Sequence, residues 1–174
     1  MRRILLATLV ATLGLGGLAP AAAAADEASL APVSFAPAFQ ATVDNDIGAA
    51  QGEALKASVA RAVSAALTRR GTAASGVSIA IEVVDAVPNR ASVQHLRANY
   101  LLDPGRTVQL GGGEFHALLR SPSGQTLAEV SYSHYDHAFA DIVGPPSMWT
   151  SANRAAQQFA ERVADAYVAQ NSAR

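Results

Sequence analysis

The stretch VQLGGGEFHALLRSPSGQTLAEVSYSHYD, residues 108–136, predicts a β-hairpin. Two runs of alternating apolar and polar residues flank the tetrapeptide SPSG. Pro122 suits the second position of a type I turn, and Gly124 suits the left-handed position that closes it. We therefore expect a register in which Arg120 lies opposite Gln125 and Leu118 lies opposite Leu127.

This register gives the hairpin a buried face and a wetter face. It also pairs His116 with Glu129 and Phe115 with Val130. Successive side chains of a strand point to opposite sides, so the two pairs lie on different faces of the hairpin. The expected core face carries Phe115, Ala117, Leu119, Ala128, Val130 and Tyr132. The wetter face carries Glu114, His116, Leu118, Leu127, Glu129 and Ser131.

Two further strands are expected before the hairpin. GVSIAIEVVDAVP, residues 76–88, alternates β-branched apolar residues with smaller or polar ones and ends at Pro88. VSFAPAFQATV, residues 33–43, is interrupted by Pro37 and is predicted to be an edge strand, with DNDIG supplying turn and cap residues after it.

Helical periodicity appears in three segments. A helix is predicted from about Ala50 to Gly71, because apolar residues recur there at spacings of three and four. A short helix is expected after a cap at Ser92. The last helix lies within residues 147–170, and its apolar stripe consists of Trp149, Ala152, Ala156, Phe159, Val163 and Tyr167.

These patterns predict an α+β fold. We expect one mainly antiparallel sheet with two amphipathic helices packed on one face, because that arrangement covers every apolar pattern. The predicted organisation is a signal peptide over residues 1–25, a flexible leader over 26–32 and a single α+β domain over 33–174.

The amino-terminal residues are typical of an export signal. Arg2 and Arg3 precede an apolar run from Ile4 to about Leu18, and Ala23 and Ala25 occupy the small-residue positions before a cut. The run is shorter than the ~18 to 20 residues that span a bilayer. The sequence thus predicts cleavage after Ala25, no membrane span after processing, and a periplasmic or secreted protein.

Composition excludes several classes of function. The chain has no cysteine, which rules out disulfides, Cys–zinc sites, thiol catalysis and a lipid-bearing cysteine. The formal net charge is −1, and no basic patch appears in the sequence, so nucleic acid is not expected as a partner.

The segment SYSHYDHAF, residues 131–139, is the strongest chemical candidate. In a strand, His134 and Asp136 share one face while Tyr135 and His137 point the other way. Two convergent groups fall short of the three or four ligands of a zinc site. We therefore predict a strand end with polar groups near water. No catalytic, cofactor-binding or metal-ligating residue is assigned, and no cofactor is expected.

The glycine run LGGGEF, residues 110–115, lacks the spacing of a dinucleotide fingerprint and the lysine of a phosphate loop. A close backbone crossing or a bulge is the expected role.

The order of motifs resembles several families of small uncharacterised exported envelope proteins of Gram-negative bacteria. The resemblance rests on the hairpin GGGEFHALLRSPSGQTLAEVSY, the segment SMWTSA and the helix AAQQFAERVADAY, and it covers roughly residues 76–170. Many of those proteins are lipoproteins, and this chain departs from them in having no lipid-bearing cysteine. The resemblance implies a non-enzymatic periplasmic domain.

Three functional hypotheses follow. The first is a non-enzymatic soluble periplasmic domain that binds a cell-envelope partner. The second is an exported metal-assisted hydrolase that uses histidines at the end of the hairpin, so enzymatic activity stays open. The third is a small-molecule carrier with a pocket between the sheet and the helices.

Overall fold

The computed structural model describes residues 29–71, 76–103 and 106–172. The expected signal peptide lies outside these residues, as do residues 26–28 of the expected leader. The described chain is α+β. Its strands are β1 (Ser29–Leu30), β2 (Ser34–Phe35), β3 (Ser78–Val87), β4 (Gly112–Arg120) and β5 (Thr126–Tyr135). Its α-helices are α1 (Pro37–Thr42), α2 (Ala49–Arg69), α3 (Val93–Ala98) and α4 (Thr150–Ser172).

The strands form one mixed sheet. Its order is β1-β3-β4-β5, and β2 also pairs with β3. The short strands β1 and β2 run parallel to β3, whereas β3–β4 and β4–β5 are antiparallel. Ser29 and Leu30 belong to the expected leader, yet Leu30 pairs with Ile79 in this sheet.

The hairpin has the predicted turn but not the predicted register. Gly124 has a φ of 83°, and its N–H donates to the Ser121 carbonyl at 2.9 Å. However, Leu118 pairs with Glu129 rather than Leu127, and Phe115 pairs with Tyr132 rather than Val130. The register shifts after Leu119, where β5 contains one extra residue.

The predicted faces survive this correction, because the net shift along most of the ladder is two residues and two is the period of a strand. Phe115, Ala117 and Leu119 are fully buried. Ala128, Val130 and Tyr132 are partly buried and pack against the same core. Glu129 remains exposed, on the face that was predicted to be wetter.

The prediction of an edge strand over residues 33–43 is wrong beyond Phe35. Pro37 is the first residue of α1, where its fixed φ suits a helix and its missing N–H costs no hydrogen bond. A π-helical turn, Val43–Ile47, continues the helical path to α2. Phe39, Val43 and Ile47 are buried at intervals of four, which is a helical spacing that the sequence contains.

The remaining predicted elements form near their expected bounds. Residue Gly71 follows α2 with a φ of 59°, and the Ser92 hydroxyl accepts the His95 N–H at the start of α3. The six apolar residues of the predicted α4 stripe are all buried. Trp149 lies just before the helix and donates its indole N–H to the Gln51 carbonyl at 2.9 Å.

One hydrophobic core joins the helices to the sheet. It contains Leu55, Val59 and Val63 of α2 together with Ile79, Ile81 and Val83 of β3. In α4, Phe159 stacks on Phe115 of β4 with 5.5 Å between ring centroids. No helix within the described residues combines the length and apolar character needed to cross a membrane.

Candidate functional site

The segment 131–139 lies where β5 leaves the sheet and approaches the start of α4. His134 and Asp136 converge, as the strand alternation predicts, and both contact Arg154. The Arg154 Nη2 group lies 2.7 Å from Asp136 Oδ1 and 3.1 Å from His134 Nε2. His137 is exposed in the following loop.

The expectation that these polar groups lie near water is wrong for Asp136. The residue is 5% exposed and its carboxylate is fully buried. Burial of a charge requires compensating partners. Asp136 finds them on elements distant in sequence: Arg154 and Ser151 of α4, Asn89 after β3 and Gly111 before β4.

The buried residues Asn89, Asp136 and Ser151 and the half-buried Arg154 form a polar group that we call the Asn89–Asp136 cluster. The Asn89 side chain donates to Ser151 Oγ at 3.0 Å and to the Gln109 carbonyl at 3.1 Å. Its oxygen accepts the Ser151 N–H at 2.8 Å, in the first turn of α4. Asn89 therefore caps α4 from another part of the chain, since that N–H has no partner within the helix.

The Asp136 carboxylate contacts two residues of the first turns of α4. Asp136 lies at the amino-terminal end of α4, where the helix dipole stabilises negative charge. Its Oδ2 atom accepts the Ser151 hydroxyl, and its Oδ1 atom pairs with Arg154. No buried side-chain nitrogen or oxygen of the described residues lacks a hydrogen-bond partner. These hydrogen bonds thus join β3, β5 and α4, and the buried polar atoms of the cluster are paired with other groups of the protein.

Arg154 also contacts His134 and the loop after β5. A guanidinium only donates hydrogen bonds, so the Nε2 atom of His134 is the acceptor in this contact. The Arg154 Nη1 group donates to the Asp141 carbonyl and so anchors the loop after β5. Together these groups border a surface cleft of about 320 Å³ lined by Tyr132, His134, Ala140, Asp141, Val143, Arg154, Ala155 and Gln158.

Asp141 organises the loop around this cleft. Its carboxylate accepts the N–H groups of His137 and Ala138, at 2.8 Å and 2.9 Å. These two backbone hydrogen bonds hold the pKa of the Asp141 carboxyl below its usual range. The Asp141 carboxylate thus stabilises the backbone conformation of this loop.

The Tyr135 side chain lies on the opposite side of β5 from the His134 side chain. Its hydroxyl donates to Asp85 Oδ2 at 2.8 Å. Burial, followed by the hydrogen bond to Asp85, raises the pKa of the Tyr135 phenol well above its usual value. The phenol therefore stays protonated at neutral pH.

The other histidines are dispersed. His116 on β4 contacts Glu129 on β5 at 2.8 Å across a diagonal of the ladder, since its direct partner is Ser131. His95 lies on α3. Across residues 29–71, 76–103 and 106–172, no three histidine, aspartate or glutamate side chains come close enough to share a metal ion.

The glycine run permits a close crossing of backbones, as expected. A Cβ atom on Gly111 would lie 2.7 Å from the Asn89 side chain. A Cβ atom on Gly112 would overlap the His134 carbonyl and Tyr135. The glycines therefore allow the end of β5 and the Asn89–Asp136 cluster to approach β4.

The outer edge of β5 is the clearest exposed feature beside this cluster. In the described chain β5 pairs only with β4. The Asp136 N–H donates inward to the Gly111 carbonyl at 2.8 Å. Because amides alternate in direction along an antiparallel strand, the N–H groups of Glu129, Ser131 and Ser133 point outward. No hydrogen bond within the described residues reaches them.

Sequence reasoning found His134 and Asp136 but missed Asn89, Ser151 and Arg154 as their partners. Asn89 directly follows the predicted strand over residues 76–88, and it is fully buried. Arg154, Gln158 and Arg162 recur every four residues, which places them on one side of α4. That spacing was the available signal for the α4 side of the site.

In comparisons with protein-family models, with curated proteins and with solved structures, nothing matched this chain.

Proposed function

We propose that this chain is a non-enzymatic domain that binds a protein partner of the bacterial envelope through the outer edge of β5. The observation that carries the proposal is the ten-residue strand β5, whose outward amides have no partner among the described residues. Native proteins usually protect such an edge with lysine, proline or a covering segment. Strand β5 contains neither lysine nor proline, and its one extra residue lies near the turn. The stretch from Glu129 to Tyr135 is therefore suited to accept a strand from another protein.

The internal use of polar groups supports binding rather than catalysis. Asp136, Ser151 and Asn89 satisfy one another within the core, and Tyr135 is held by Asp85. A catalytic acid, base or nucleophile needs a free group directed at a substrate position. These residues are instead committed to holding the end of β5 against α4.

The proposal retains the layered arrangement predicted from the sequence. Helices α2 and α4 would cover one face of a mainly antiparallel sheet, leaving the other face and the β5 edge for contacts outside the domain. The partner would be an envelope protein, and nucleic acid is not proposed as a partner, because the formal net charge is −1.

The proposed compartment is the periplasm or the medium. The support comes from Arg2 and Arg3, the apolar run after them and the alanines that end at Ala25. The resemblance of residues 76–170 to exported envelope-protein families points in the same direction.

A matched pair of β5 variants tests the proposal. Ser131→Pro removes an outward N–H, and proline is tolerated where an edge amide faces solvent. Ser131→Ala keeps the N–H and changes only an exposed side chain. We expect the wild-type chain and Ser131→Ala to capture one stoichiometric partner from an envelope extract of the producing bacterium. The Ser131→Pro variant should lose that partner while melting close to the wild type.

Other outcomes would contradict the proposal. Equal capture by Ser131→Pro would place the interface elsewhere. Capture of no protein, together with chelator-sensitive hydrolysis in a broad substrate screen, would favour the metal-assisted hydrolase. Capture of no protein, together with a co-purified small molecule, would favour the carrier.

A further inference from the structure

Arg162 of α4 is a fixed positive charge beside the β5 edge. Its guanidinium lies over the Tyr132 ring, 4.4 Å from the ring centroid, and the residue is exposed. Tyr132 lies on β5, between the outward amides of Ser131 and Ser133. A cation held on an aromatic face keeps its outer N–H donors available to a second group.

The acidic residues near Arg162 in sequence are already occupied. Glu161 pairs with Arg69 and with Arg70, the latter at 2.9 Å. Asp165 pairs with Arg70 at 2.5 Å. Within the described part of the chain, no carboxylate forms an ion pair with Arg162. We call the line along which α4 packs beside β5 the α4–β5 seam. The positive charge of Arg162 at this seam therefore has no ion-pair partner among the described residues.

Arg154 extends this seam toward the end of β5. It lies eight residues before Arg162, about 12 Å along the helix axis, and its side chain is 33% exposed. Asp136 compensates much of its charge, and the Asp141 carboxylate lines the same cleft. Arg162 is therefore the stronger anchor for an incoming anion.

We infer that the segment that pairs with β5 is an acidic extended peptide of the partner protein, and that it places a carboxylate on Arg162. The inference rests on the proposed function. A strand added to β5 would lie about 4.8 Å away. The residue opposite Tyr132 would project to the same side as Tyr132, with its Cβ about 5 Å from that of Tyr132. A glutamate there reaches the guanidinium, with which it can form paired charge-assisted hydrogen bonds.

A second copy of this chain fits the edge less well. Antiparallel pairing of two β5 edges about a two-fold axis puts both helix layers on the same side of the joined sheet. The two Arg162 side chains would then lie along one seam without acidic partners, and like charges across a strand pair are destabilising. An acidic strand removes this repulsion.

Two synthetic peptides and two protein variants test the inference. The probe is a labelled, capped peptide of alternating threonine and valine with glutamates at two alternate positions. Its control carries glutamine at those positions. The variant Arg162→Gln is matched by Arg106→Gln, since Arg106 lies in a loop and its side chain is 91% exposed. Binding is measured by fluorescence anisotropy at low ionic strength, and melting curves check the fold of both variants.

We expect the glutamate peptide to bind the wild-type chain about tenfold more tightly than the glutamine peptide, as one charged hydrogen-bond pair would give. Arg162→Gln should remove this preference, and Arg106→Gln should keep it. Equal binding of both peptides, or binding of neither, would overturn the inference. So would a partner captured from the envelope extract equally well by Arg162→Gln, although the proposed function would then stand. Detection by sedimentation of a homodimer that forms through β5 would also overturn the inference that the partner is an acidic peptide.

Discussion

Asn89 stabilises the fold at a point where three distant segments meet. Its backbone N–H donates to the Met148 carbonyl at 2.8 Å, and its carbonyl accepts the Gln109 N–H at 3.0 Å. Its side chain caps α4 at Ser151 and reaches Asp136. A single side chain therefore fixes the start of α4 relative to β3.

Substitution Asn89→Ala should be among the most destabilising polar-to-alanine changes in this chain. It leaves the buried Ser151 N–H without its acceptor, while the half-buried Gln109 carbonyl and Asp136 each lose one donor. An unpaired buried group costs about 1 to 3 kcal/mol. We expect a loss of roughly 3 kcal/mol in urea unfolding. Asn99→Ala is the control, because Asn99 is exposed and accepts one local hydrogen bond from Leu101. Similar midpoints for the two variants would show that the cluster contributes little.

Gly124 provides a second test at the residue scale. Its φ of 83° is unfavourable for a residue with a Cβ atom, and no atom lies within 4 Å of the position that this Cβ would occupy. The cost of Gly124→Ala is therefore one of backbone strain, on the order of 1 kcal/mol. Ser123→Ala should cost much less, because it removes only a hydroxyl contact with Ser121 in the turn. Thermal unfolding distinguishes them, and equal melting temperatures would contradict the turn assignment.

Helices α2 and α4 are joined at their surface by an ion-pair network. Glu161 of α4 contacts Arg69 at the end of α2 and Arg70, the residue after it. Hydrogen bonds from Arg70 and then Arg69 hold the pKa of the Glu161 carboxyl below its usual range. The unfolded state therefore binds the proton more readily than the folded state.

The sign of this shift predicts a pH-dependent variant. The contribution of Glu161 is complete above the pKa of the unfolded carboxyl and is lost as the pH falls through the folded pKa. Glu161→Gln should therefore melt below the wild type at neutral pH, and the gap should close in acid. The effect should be modest because the pair is exposed and screened by salt. A gap that is the same at neutral and acidic pH would contradict the electrostatic account.

The hairpin illustrates what the sequence could predict about an element. Alternation assigned Phe115, Ala117 and Leu119 to the core, because burial depends only on parity along the strand. The register depended on the extra residue in β5 near Leu127, for which alternation carries no signal. The strand prediction for the segment after Pro37 is wrong for a related reason, since a few apolar residues fit both a strand spacing and a helical spacing.

The candidate site was only partly predictable. His134 and Asp136 are neighbours in sequence, so strand geometry could bring them together. Asn89 and Ser151 lie 47 and 15 residues from Asp136, and the contacts among them arise only when β3 and α4 pack. The burial of Asp136 follows from those partners, which is why a local interpretation placed it near water.

At the scale of the whole molecule, we predict from the amino-terminal residues that the protein is exported. If residues 1–25 are an export signal, the exported protein should begin at Asp26, within a few residues along the alanine run. Intact-mass measurement of the protein from the periplasm or medium checks this. A membrane-bound chain that retains Arg2 and Arg3 would contradict the prediction.

Buried contacts hold β4, β5 and α4 together, whereas the outer edge of β5 has no pairing strand among the described residues. The Asn89–Asp136 cluster, the Gly111–Gly112 crossing and the contact between Phe115 and Phe159 fix β4, β5 and α4 relative to one another. The outward amides of β5 lie at the margin of this fixed unit. A strand that pairs there meets a preorganised edge, which lowers the entropic cost of binding.

Residue-resolved amide hydrogen exchange tests the central claim, an open β5 edge, most directly. In the free protein we predict slow exchange at Val130, Tyr132 and His134, whose amides point toward β4, and fast exchange at Glu129, Ser131 and Ser133. With the partner bound, the second set should become slow while the first is unchanged. Slow exchange at Ser131 and Ser133 in the free monomer would mean that the edge is already covered, and would contradict the account.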